Sequence, residues 1–87
     1  MVAIVFYDAS SRRDAKLVKI CRKYLKHMQK SVFIGMITEG KLNQLKREIQ
    51  NVIVCEQDAV CVIKLSVLKY VSIEQLGKSE PEKNNIL

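Results

Sequence analysis

The sequence predicts a two-layer α+β sandwich, an antiparallel sheet with two helices on one face. Two observations carry that expectation. Apolar runs of strand length alternate with two stretches of helical periodicity, and 87 residues hold one modest core but not two. Too few elements remain to cover the second sheet face from within, so a homodimer through the sheets is expected, burying about 1,200–2,000 Å².

Residues 2–7 (VAIVFY) are all apolar and rich in β-branched and aromatic side chains, the pattern of a strand buried on both faces. A helix follows from about residue 11 to about residue 26. In it Leu17, Cys21, Tyr24 and Met28, flanked by Val18, Ile20 and Leu25, recur at helical spacing and share a face. Ser11 with Asp14 reads as a capping box at its start. Residues 31–38 (SVFIGMIT) form one extended run, with Gly35 marking a bulge, a bend or the close approach of another chain segment.

Gly40 precedes a second amphipathic helix, whose Leu42, Leu45, Ile49, Val52 and Ile53 line one face. Residues 59–65 (AVCVIKL) read as a central strand by their apolar content, and residues 70–76 as a C-terminal edge strand with one wet face. The domain therefore spans residues 1–77. Residues 78–87 form a polar tail apart from Ile86 and Leu87.

The net charge is +6, and all of it belongs to the first half of the chain. Residues 11–30 carry Arg12, Arg13, Lys16, Lys19, Arg22, Lys23, Lys26 and Lys30 against Asp14 alone. Exposed helices ordinarily intersperse Glu with Lys, and this segment does not. A stripe of one sign attracts polyanions, so nucleic acid is the expected partner; an anionic membrane fits less well because the apolar face is needed for a core.

Other function classes are disfavoured. Cys21, Cys55 and Cys61 are odd in number and lack Cys-x-x-Cys spacing, and His27 is the only histidine. A disulfide framework or zinc site needs more ligands, better spaced, so the thiols are expected to be reduced packing residues of a cytoplasmic protein. No apolar run approaches the roughly 20 residues of a membrane span. Asp8 is open to two readings: an acid before two serines is common turn chemistry, and a carboxylate at a strand end can also hold a metal against a phosphate.

The strand ending in Tyr7 and Asp8, the basic helix, the stretch HMQKSVFIGMITEGKLNQLKREI and the later DAVCVIKL together resemble the CRISPR-associated Cas-two family, the small dimeric partner of the CRISPR integrase. The resemblance covers about residues 2–77. It implies a ferredoxin-like fold, β-α-β-β-α-β with an extra C-terminal strand that pairs with the partner's sheet, and a tail that meets the integrase. That topology asks for two strands between the helices, where the residues themselves show one run.

The resemblance also implies a Mg2+-dependent endonuclease acting on RNA or duplex DNA. By position Asp8 is the metal ligand and Tyr7 its neighbour in the catalytic site; Arg12, Arg13, Lys16, Lys19, Arg22 and Lys23 meet phosphates, and Ser31 and Phe33 shape the cleft or dimer contact. Three functions follow as expectations: a nuclease of the CRISPR adaptation complex, a non-catalytic duplex scaffold within it, and a toxin-like ribonuclease of similar fold outside CRISPR.

Overall fold

The computed structural model describes residues 1–66 together with Ser72, Glu74, Leu76 and Gly77. Its elements are β1 (Val2–Asp8), α1 (Ser11–Arg22), β2 (Lys26–Gln29), β3 (Val32–Met36), α2 (Glu39–Gln50) and β4 (Ala59–Leu65). The sheet order is β2-β3-β1-β4, antiparallel throughout. This is the ferredoxin-like arrangement, with β1 and β3 in the centre.

Both helices pack on one sheet face. Ala3, Val5 and Tyr7 of β1 and Phe33 of β3 meet Leu17 and Cys21 of α1 and Leu42, Leu45 and Ile49 of α2. These residues alternate along the strands and recur at helical spacing along the helices, so each element buries one side. Val52 and Ile53, expected on the second helix, lie past its end at Gln50 and pack against that core from the following turn. On the other sheet face Val2, Met28 and Ile34 form a smaller buried cluster, while Phe6, Met36 and Ile63 are 40%, 55% and 39% exposed. β1 is therefore not buried evenly on both faces: its residues 6 and 8 are open.

Several boundaries differ from the sequence expectation. α1 ends at Arg22 and does not reach residue 26, so Met28 lies on a strand of the opposite face and Lys26 and Lys30 leave the helix. The chain unwinds at Lys23 and Tyr24 because residues 26–29 enter the ladder with β3. The single extended run between the helices is in fact a hairpin, turning at Lys30, which has φ of 37°, and Ser31. Helical spacing of the apolar residues continued through Leu25, and a short strand with a bulge between His27 and Gln29 leaves no clean alternation to betray it.

The N-cap of α1 is Ser10, and no side-chain capping bond is made; Asp14 accepts from Tyr7 instead of closing a capping box. β4 is at the sheet edge among the described residues, not central. Its apolar residues face two different layers, Val60 and Val62 the helices and Cys61 and Ile63 the other side. Cys55 and Cys61 are exposed free thiols, so only Cys21 is a packing residue. The expected edge strand over 70–76 and the tail with Ile86 and Leu87 lie largely outside the described residues. Gly35 has the close approach anticipated for it: a Cβ there would stand 3.3 Å from Leu25 Cδ2 and 3.6 Å from Leu25 Cα.

Candidate nucleic-acid interface and strand-end carboxylate

β1 delivers Asp8 to the end of the sheet, where it is the last ladder residue, opposite Ala59 of β4. Strand alternation puts neighbouring side chains on opposite faces. Tyr7 accordingly enters the helix-side core, and Asp8 shares the other face with Phe6 and Ile4. Asp8 is exposed, and its carboxylate makes no hydrogen bond or ion pair among the described residues.

Tyr7 is tied down from the helix side. Its hydroxyl donates to Asp14 Oδ1 at 3.1 Å, and its ring stacks on Phe33 with 6.2 Å between centroids. Burial first, then the bond to Asp14, pushes the phenol well above its ordinary pKa, so it stays protonated as a donor. Phe33 is fully buried and stacks on His27 at 4.4 Å, while the Ser31 carbonyl accepts the Tyr7 backbone N–H at 3.2 Å. Phe33, expected at the cleft or dimer contact, thus packs in the helix-side core and not on the opposite sheet face, while Ser31 lies in the hairpin turn beside Tyr7.

The basic residues separate into groups. Arg12, Lys16, Lys19 and Arg22 are exposed on α1, and Lys23 is exposed at its C-cap. Lys16, Lys19 and Lys23 line a groove of about 430 Å³ with Ile20 and Val52, on the helix layer. Lys23 is partly neutralised by Glu48, which it contacts at 2.5 Å and which also accepts from the Tyr24 hydroxyl. Lys23 foremost, with Tyr24, holds the Glu48 carboxyl below its ordinary pKa. Arg13 is different, because its guanidinium forks onto Asp58, Nε to Oδ2 at 2.5 Å and Nη2 to Oδ1 at 2.9 Å.

Asp58 was not singled out as a site residue from the sequence. Its side chain is fully buried, and it also accepts the Val54 backbone N–H at 2.8 Å. The Arg13 fork foremost and the Val54 N–H next lower its pKa to about 2. The available signal was its place immediately before an apolar strand, where an acid must either face water or find a cation.

Among the described residues no group of three His, Cys, Asp or Glu side chains is placed to hold a metal. Asp8 is the free strand-end carboxylate among the described residues. Mg2+ takes one or two carboxylates and completes its shell with water and phosphate oxygens, so the oxygen chemistry of Asp8 fits that ion, and a second carboxylate would strengthen it. No helix among the described residues is long and apolar enough to cross a membrane.

Comparison with known proteins agrees with this geometry. Residues 1–72 match the family described as CRISPR associated protein Cas2. The chain is 39% identical over 87 residues, all of both chains, to the CRISPR-associated endoribonuclease Cas2 of Dictyoglomus turgidum. It is 38% identical over 82 residues, 94% of each chain, to that of Thermotoga maritima. Its fold is similar to a crystal structure of Cas2 with a TM-score of 0.84 at 25% identity, covering 100% of this chain and 98% of the other. The family match, the two full-length relatives and the shared fold together establish that the chain belongs to the CRISPR-associated Cas2 family.

Proposed function

We propose that two copies of this chain pair through the sheet faces opposite the helices, and that the dimer binds nucleic acid in CRISPR adaptation and hydrolyses phosphodiesters with Mg2+ at the two Asp8 residues. One observation carries the reading: Asp8 lies on the same face as the exposed Phe6, Met36 and Ile63. Apolar side chains of that size on one sheet face mark an association surface. Joining two such faces about a two-fold axis brings the unpartnered carboxylates together.

In this reading Asp8 holds the ion and the exposed Arg12 meets the neighbouring phosphates, to which its forked donors are suited. Mg2+ held there would supply polarisation of the phosphodiester and a lowered pKa for the attacking water. Tyr7 keeps the strand end seated against α1. The endoribonuclease names of the relatives support RNA as one substrate.

A second reading, a duplex scaffold for the integrase without catalysis, is favoured by the lysine groove, which lies on the helix layer and not on the Asp8 face. The family match to CRISPR proteins supports both readings over a toxin-like ribonuclease. The deciding experiment is Asp8→Ala, assayed for cleavage and for duplex affinity in Mg2+. Lost cleavage with affinity kept or slightly raised supports the nuclease. Cleavage at the wild-type rate rejects Asp8 as its ligand, and absence of metal-dependent cleavage in the wild type leaves the scaffold.

A further inference from the structure

We infer that Arg13 and Asp58 form a positioning pair for the Asp8 strand end, so that Arg13 serves the geometry of that carboxylate and is not a phosphate ligand. The inference rests on the reading of Asp8 given above.

Three hydrogen bonds converge on the Asp58 carboxylate: Arg13 Nε at 2.5 Å, Arg13 Nη2 at 2.9 Å and the Val54 N–H at 2.8 Å. They come from the first turn of α1 and from the loop after α2. The next residue, Ala59, is the ladder partner of Asp8. The chain is therefore held at Asp8 by its ladder partner Ala59, while the helix that begins at Ser11 is tied through Arg13 to Asp58, the residue just before that partner. Restraints on both sides of the short turn fix where β1 ends and which way Asp8 points.

The fork is also committed. Arg13 spends Nε and Nη2 on Asp58, and Nη2 additionally reaches Gln57 Oε1 at 3.2 Å. Its side chain is 18% exposed and that of Asp58 is 0% exposed. Drawing Arg13 out to a phosphate would leave a buried carboxylate without its cation, a heavy penalty. Neighbouring Arg12 is exposed and carries no such commitment.

The test compares Arg13→Lys, Arg13→Gln and Asp58→Asn with the wild-type protein. Backbone hydrogen exchange over residues 9–11 is expected to speed up about tenfold in each, because a local restraint is lost. Duplex affinity and its salt slope should stay unchanged. Cleavage should lose about 10- to 100-fold in kcat with KM held, the signature of a displaced catalytic group. Ile49→Val, a core truncation on the sheet face opposite Asp8, provides a stability control that retains kcat.

If Arg13→Gln lowers the salt slope by about 0.9, the loss of one phosphate contact, Arg13 is a phosphate ligand and the inference is overturned. Unchanged exchange in Asp58→Asn and Arg13→Lys overturns it as well. Should Asp8→Ala cut at the wild-type rate, the reading of Asp8 fails separately, while exchange and salt slope still decide whether the pair holds the strand end.

Discussion

The Tyr7 hydroxyl donates to Asp14 Oδ1 at 3.1 Å, across the interface between the sheet and α1. The residue next to Asp8 in the chain thus faces the opposite layer. A side chain locked in the core, with its phenol held protonated by burial and by Asp14, supports the strand end and does not exchange protons at neutral pH. Tyr7→Phe is therefore expected to keep the cleavage rate within about threefold and to lower stability by about 1 kcal/mol, the net worth of one hydrogen bond. Parallel kinetics and urea denaturation check both; a folded variant with cleavage abolished would place the hydroxyl in the chemistry.

The lysines on α1 and at its C-cap are not equivalent. Lys16 and Lys19 have no acidic partner among the described residues, whereas Lys23 sits 2.5 Å from Glu48. Lys16→Glu with Lys19→Glu should weaken duplex binding strongly and flatten its salt dependence by roughly one unit per lost phosphate contact. Lys23→Ala should do less, since Glu48 already offsets its charge. Titrations at several salt concentrations measure the slopes, and equal effects at all three positions would contradict this ordering.

Asp58 makes a specific acid sensitivity. Its folded pKa is about 2, below the ordinary value of 3.8, so its contribution to stability is present above pH 3.8 and fades as pH falls towards 2. Asp58→Asn should be less stable than the wild type at neutral pH, with the gap narrowing across that acid window. Thermal melts from pH 7 to pH 2 report it, and a gap independent of pH would show that the carboxylate is not held by Arg13.

The three thiols should react in order of exposure. Burial pushes Cys21 up to about 12, so it stays an unreactive thiol, while Cys55 and Cys61 are open to reagent in the monomer. Cys61 pairs with Phe6 on the sheet face proposed for dimerisation, and Cys55 lies in the loop before β4. Dimerisation should shield Cys61 and spare Cys55. Maleimide labelling across protein concentration, with peptide mapping, tests this; equal labelling of both at concentrations where the dimer dominates would exclude that face.

The central part of the fold was legible because local physics announced it. Residues 2–7 are short, all apolar and rich in β-branched and aromatic side chains, which favours a strand, and Leu42, Leu45 and Ile49 share a face in a helix and not in a strand. The end of α1 was not legible, since Leu25 and Met28 continue its spacing although they pack on different sides of the sheet. Nor was Arg13 separable from Arg12: two adjacent arginines look alike until one of them meets Asp58, 45 positions away.

The sequence by itself determined that a basic helix follows a largely apolar strand ending in an acid, and that strands and helices alternate as a two-layer sandwich requires. Those properties follow from spacing, charge and length, which neighbouring residues decide. Only the tertiary structure decided that Tyr7 and Asp8 part to opposite faces, that the lysine groove and the carboxylate lie on different layers, and that Arg13 turns inward. The reason is that a cation's role depends on which acid the fold brings within 3 Å of it, and pairing across 45 residues is set by sheet register and packing, not by local pattern.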